Sequence, residues 1–248
     1  MGRFKLFILA FALIVIPSLI ATPASAHPAD EFCAETSEMD PALCRALAEA
    51  DSAETAKPEI TRPAGQTVRL YVKLGFVHIL PRGTDHILFV LALFLASTRL
   101  RPLLIQISVF TLAHTLTLAL AASGKVSAPP DIVEPMIAAS IAFVAIENLI
   151  FKDMTKWRPI LVFGFGLFHG LGFAGVLADM GLAQEQFLVS LISFNVGVEL
   201  GQLSVILAAW ATLHWFYKKS WYRARITQPI SLFIAITGLV WAVQRGFF

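Results

Sequence analysis

Charge is what this 248-residue chain has least of. Only 15% of its residues are Asp, Glu, Lys or Arg, where a soluble domain carries about a quarter. That scarcity excludes an ordinary water-exposed surface. No basic surplus offsets it: once Arg3 and Lys5 are set aside with the leading segment, 17 basic residues stand against 17 acidic ones. A nucleic-acid-binding surface is therefore excluded. No GxxxxGK[ST] loop occurs, which argues against ATP coupling within the chain. Cysteine is confined to Cys33 and Cys44, both in the polar N-terminal region.

Hydrocarbon takes the place of charge. Apolar residues make up 57% of the chain and mean hydropathy is +0.72, concentrated in long runs that read as membrane spans. Residues 1–26 read as a cleaved signal peptide: Arg3 and Lys5 start it, Leu6 to Ile16 form an apolar centre, and Ala24-Ser25-Ala26 offers a cleavage site. Residues 27–69 differ from all that follows, with nine acids, four bases and too few apolar residues for a core. They read as an acidic exported segment with one short helix around Pro41 to Ala53 and otherwise loose chain. In an exported compartment Cys33 and Cys44 read as a disulfide. A metal-collecting segment, combining His27 and the acidic residues with Cys33 and Cys44, is the sharper alternative.

Residues 70–248 read as an all-α membrane bundle of about six spans: Tyr71–Ala96 (interrupted at Pro81–Gly83), Leu103–Ala122, Ile132–Phe151, Ile160–Ala178, Phe187–Trp215 and Ile230–Val243. Arg99, Arg101, Lys152, Lys156, Arg158, Lys218, Lys219, Arg223 and Arg225 fall in one set of loops, against only Lys125 and Arg245 in the other. The positive-inside rule sends the nine-charge set to the cytoplasm and both mature termini outward. The same orientation follows from an exported N-terminus. A bacterial inner membrane is the expected location.

The polar residues inside these spans carry the functional signal, because a charge at mid-membrane costs at least ~2.5–3.5 kcal/mol. His78, the Pro81–Gly83 break, Asp85 and His86 lie in the first span, with Thr84 or Asp85 expected to cap the helix that restarts there. Broken helices of this kind form substrate sites in transporters. The second span has Thr111, His114 and Thr115 on one face; the third has Glu147 and Asn148 near its cytoplasmic end. The fourth has His169 between Gly166 and Gly170, a step that lets a neighbouring helix press close. Asn195, Glu199 and Gln202 share a face of the fifth. At ~1.5 Å rise per residue, His114, His169 and Asn195 lie roughly 12–18 Å from a span end, near the middle of a ~30 Å core.

Each residue alone has a plain structural reading: His114 satisfied by neighbouring threonines, Asn195 and Gln202 joining helices, Glu147 paired with Lys152 or Lys156, and His214 at the boundary. As a set, Asp85, His86, His114, His169 and Glu199 have no Lys or Arg in the spans to neutralise them, apart from Arg82. Such a set wants a cation, either protons or a divalent ion such as Ni²⁺, Co²⁺, Zn²⁺ or Fe²⁺. His78, Asp85, His86, His114 and His169 are the expected ligands. Glu147, Asn148, Asn195, Glu199 and Gln202 are expected to relay or support.

"GFVHILPRGTDHILFVLALFL", "FTLAHTLTLAL", "IAFVAIENLI", "FGLFHGLGFAGVL" and "FNVGVELGQL" resemble the HupE/UreJ family of hydrogenase- and urease-associated membrane proteins, regarded as nickel permeases. The likeness runs from about residue 75 to 207. It implies secondary uptake of nickel, or cobalt, as cargo rather than as a resident cofactor, with hydrogenase or urease maturation proteins as possible partners beside the lipid bilayer. The family's histidine motifs map onto His78 with Asp85-His86, and onto Phe168-His169-Gly170. The better-studied permeases have His-Pro where His78-Ile79 stands, and a second histidine that Leu171 to Gly175 lacks, so the resemblance is to a less characterised branch. Two other classes stay open at this stage. One is an intramembrane zinc-dependent hydrolase, for which no clear serine or oxyanion arrangement is visible; the other is a metal-binding membrane sensor or accessory protein.

Overall fold

The computed structural model describes residues 63–179 and 186–248, so Cys33, Cys44, the leader and nearly all of the acidic segment lie outside the described residues. Seven α-helices occur among the described residues and no strands: α1 (Ala64–Ile79), α2 (Thr84–Leu95), α3 (Leu100–Ala122), α4 (Pro130–Ile150), α5 (Arg158–Asp179), α6 (Phe187–Leu213) and α7 (Gln228–Phe247). A 3₁₀ turn at His214–Phe216 extends α6, and a π turn at Arg223–Thr227 leads into α7.

Four of these helices are long and apolar enough to cross a bilayer, α6 and α7 being counted with those turns; α1 and α2 pass the test together as a pair bent by 69°. The apolar stretch Arg158–Phe173 of α5 is shorter. Length and composition therefore give four to five candidate spans, and α5 stands where the remaining expected span was placed. Helix α1 starts at Ala64 rather than Tyr71, because Thr67 is buried and donates its hydroxyl to Gln186 Oε1 at the head of α6 (3.1 Å).

The break falls where Pro81 and Gly83 predict it. No side chain caps α2, contrary to the expectation for Thr84 or Asp85. The Asp85 carboxylate is engaged elsewhere, and the Thr84 backbone N–H donates to Arg82 O. Helix α2 is buried from His86 through Val90 and from Ala92 through Leu95, the pattern of a helix enclosed on every side rather than of one with a wet face. It is the axis of the bundle, and its first turn carries Asp85 and His86.

Three helix pairs surround it: α1 with α6, α3 with α5, and α4 with α7. Glycine permits the two close crossings that matter for the site. A methyl at Gly170 would run into the Thr117 hydroxyl and the His114 carbonyl, and one at Gly197 into the Val72 carbonyl. Gly166 meets Phe110 where Gly170 meets His114, so α3 and α5 run parallel; Val72 and Ile79 meet Gly197 and Gly201 in the same sense, so α1 and α6 do too. Thr117 stitches the first of these pairs by donating to Leu167 O (2.9 Å). The end of α2, the end of α4, the start of α5 and the π turn converge around one cavity lined by Glu147, Asn148, Lys152, Arg158 and Arg223. This end is the basic face. The opposite end, where α1 and α6 begin and α7 finishes, is the terminal face.

Candidate metal centre

Four helices deliver imidazole to one place. His78 ends α1, His86 opens α2, and His114 and His169 sit within α3 and α5. Ring centroids of His78 and His86 are 4.7 Å apart, His86 and His114 6.1 Å, and His86 and His169 4.9 Å. His78, His86 and His114 each bring one nitrogen within 4.8 Å of the other two. Nitrogens around a tetrahedral ion with bonds of ~2.0–2.1 Å sit about 3.4 Å apart. The separations exceed that spacing by at most about 1.4 Å.

The hydrogen bonds behind the rings decide which nitrogens are bare. Asn195 donates its Nδ2 to Leu191 O (2.8 Å), which turns its Oδ1 toward His114 Nδ1 (3.2 Å). The proton of His114 therefore sits on Nδ1, and Nε2 keeps its lone pair. His114 Nε2 and His78 Nε2 are both buried without a hydrogen-bond partner. A buried lone pair with no partner is costly, and a metal is what neutral imidazole nitrogens accept. A second chain fixes His169. Ser140 donates its hydroxyl to Ile137 O (2.6 Å), so its oxygen accepts from His169 Nε2 (3.1 Å), leaving His169 Nδ1 to accept from His86 Nε2 (3.4 Å). His86 Nδ1 is then the bare atom of that ring. Supporting groups that fix the tautomer in this way are the usual companions of metal-binding histidines.

Aromatic rings wall the cluster. Phe173 and Phe194 flank His78 (4.2 and 5.6 Å between centroids), and Phe110 and Phe89 flank His169 (5.0 and 5.2 Å). His114 is 0% exposed and His86 6%. An ion reaching this place must shed water.

The remaining expected residues fall into separate groups. Asp85 is not in the triangle: its carboxylate takes a bidentate contact from Arg245 on the last turn of α7, at 2.7 and 3.1 Å. This corrects the expectation that Asp85 lacks a counter-charge, because α7 returns Arg245 to the mouth of the broken span. Glu147 pairs with Arg158 (3.5 Å) rather than with Lys152 or Lys156, and accepts from Thr155 (2.6 Å). Arg158, counted as a loop charge, is 2% exposed, with both terminal nitrogens on Asn148 Oδ1 (3.2 and 3.1 Å); Asn148 Nδ2 donates to Ala92 O (2.7 Å). Glu147 and Asn148 thus lock α2, α4 and α5 together at the basic face. Glu199 and Gln202 join Thr111 on the seam between α3 and α6, and only Asn195 of that face reaches a histidine. His214 stacks on Trp210 at the basic end of α6.

Ser140 and the phenylalanines are functional-site residues that the sequence reading missed. Spacing alone gave only a faint signal for two of them. Ser140 lies seven residues before Glu147, two helical turns along the same face, and Phe110 lies four before His114.

No curated protein and no solved structure matches the chain. The family model described as HupE / UreJ protein matches residues 54–245, and the chain therefore belongs to the HupE/UreJ family.

Proposed function

We propose that this protein is a secondary transporter that takes up a divalent transition-metal cation, nickel or cobalt, across a bacterial inner membrane. One observation carries the reading: His78, His86 and His114, from three different helices, bring ring nitrogens within 4.8 Å of one another, and those of His78 and His114 include a buried Nε2 with no hydrogen-bond partner. Family membership supports a metal-transport role, and the imidazole set suits this part of the transition series.

In this reading a leader is removed after residue 26 and six spans carry the chain, with the basic face in the cytoplasm. The acidic residues 27–69 concentrate cations outside. The ion enters past Asp85, sheds water against the aromatic wall, and is held by His78, His86 and His114, while His169 orients His86 by accepting from its Nε2. Membrane potential alone supplies about 4.6 kcal/mol for a divalent ion at ~100 mV, from ~2.3 per charge. Hydrogenase or urease maturation proteins are the expected recipients.

The test is uptake of radioactive nickel by cells and by proteoliposomes. His86→Ala and His169→Ala should abolish uptake at unchanged membrane levels; near-wild-type uptake in both contradicts the reading. The Ser140–His169 contact is the one feature favouring an intramembrane hydrolase, since a nucleophile and base meet in that way. Against it, the Ser140 proton is committed to Ile137 O. Lipid or peptide turnover lost in Ser140→Ala would favour that alternative.

A further inference from the structure

Among the described residues three carboxylates within the helices are buried or half-buried, and the fold treats them differently. Asp85 has Arg245 and Glu147 has Arg158. Glu199 has neither: among the described residues no lysine or arginine pairs with it. Its neighbours are oxygens. Ser108 Oγ lies 3.2 Å from Glu199 Oε1, and Thr111 Oγ1 lies 2.6 Å from Glu199 Oε2 and 3.0 Å from Gln202 Oε1. Thr111 has one hydroxyl proton, which the shorter contact gives to Glu199; the Gln202 amide can meet the same oxygen with either its oxygen or its NH2, so the hydroxyls hydrogen-bond the carboxylate but supply no counter-charge.

The surroundings sharpen the need. Glu199 is half-buried on a seam whose outer surface is hydrocarbon, with Leu112 65%, Val196 47% and Leu200 46% exposed. An ionised carboxylate facing lipid without a counter-charge is costly. The titratable or charged groups on the elements packed against α6 are Arg69, Tyr71, Lys73 and His78 of α1, Arg82 before α2, Asp85 and His86 of α2, Arg101 and His114 of α3, and His214 of the 3₁₀ turn; Glu199 is hydrogen-bonded to none of them. Thr111 precedes His114 by three residues on α3, and Glu199 follows Asn195 by four on α6, so the oxygen cluster lies one turn to the basic side of the imidazoles.

We propose that Glu199, Thr111, Ser108 and Gln202 form a second site for a monovalent cation, a proton or a sodium ion, that couples cargo movement to an ion gradient. The oxygens suit a hard monovalent ion as the imidazoles suit a transition metal, and the shared helices α3 and α6 link the two sites mechanically. This proposal rests on the transport reading for its purpose, but the site itself does not. Each charge moved with the cargo changes the limiting accumulation ratio by about 50-fold at ~100 mV.

The probe for the site is dicyclohexylcarbodiimide, which enters lipid and modifies protonated carboxyls there, applied to the full chain in proteoliposomes and read by mass spectrometry. Glu199 should be modified, and Glu147, behind Arg158, should not. Suppression by sodium identifies a sodium site; suppression only by raising pH identifies a proton site. Glu199 left unmodified at every pH and sodium concentration overturns the proposal. The coupling arm compares nickel uptake under imposed proton and sodium gradients in wild type, Glu199→Gln and Glu199→Asp. Glu199→Gln should remove the gradient dependence and Glu199→Asp should retain part of it, whereas gradient-driven uptake persisting in Glu199→Gln overturns coupling. If the wild type takes up no metal, the transport reading fails while the carbodiimide result still decides the site.

Discussion

Asn195 holds the tautomer of His114, and its removal tests whether the imidazoles are prepared for a metal or merely packed. In Asn195→Ala, His114 Nδ1–H loses its acceptor at 3.2 Å, and the bare Nε2 is no longer favoured. His114 is 0% exposed, so water is a poor substitute. Loss of a group that orients a metal-bound histidine typically costs 10–100-fold in affinity, about 1.4–2.7 kcal/mol. Asn195→Ala should therefore weaken nickel binding to the purified protein by that factor, measured by competition with a chelator of known affinity. Asn195→Asp keeps an acceptor at Nδ1 and makes it stronger, so it should bind metal at least as tightly as wild type. The reasoning is refuted if Asn195→Ala binds nickel like wild type, or if Asn195→Asp binds more weakly than Asn195→Ala.

Three further outcomes follow from the packing. Arg158→Met leaves Glu147 buried without its charge partner, which should cost about 3–5 kcal/mol; thermal unfolding in detergent should fall sharply, and Glu147→Leu added to it should recover much of the loss. Gly170→Leu should force α3 from α5 and abolish uptake by separating His114 from His169, whereas Gly164→Ala, with open space around it, should transport normally. Exchanging Asp85→Arg with Arg245→Asp should restore membrane levels lost in Arg245→Asp alone but not uptake, because the carboxylate then sits on α7 instead of beside His86; recovered transport would make the pair purely structural.

The histidines were legible because the membrane makes them so. A polar group at that depth is expensive enough that residue type and distance from a span end single out His114 and His169 before any fold is known. The break after Ile79 was legible for a similar reason, since Pro81 and Gly83 leave the helix little choice. The partners were not. Arg245 lies 160 positions from Asp85 in sequence and reads as a terminal loop charge until α7 folds back. Arg158 reads as part of a positive-inside loop, yet Asn148 and Glu147 draw it inside. Ser140 gives almost no signal because a helical serine satisfies itself on the preceding turn. Among 20 phenylalanines, nothing local distinguishes the few that face the imidazoles from those that face lipid. Gly170 was suspect as a close-approach site, but its partner α3, and the parallel sense of the pair, came only from the contacts with Thr117 and His114.

The most direct test of the central claim is elemental analysis of the purified protein after exposure to an equimolar mixture of divalent transition metals and removal of unbound ions. The account predicts about one equivalent of nickel or cobalt per chain at a site closed by three imidazoles, lost in His86→Ala and in His114→Ala and retained in Ser204→Ala, whose hydroxyl only donates to Leu200 O at 2.8 Å. Full metal content in both histidine variants would contradict it.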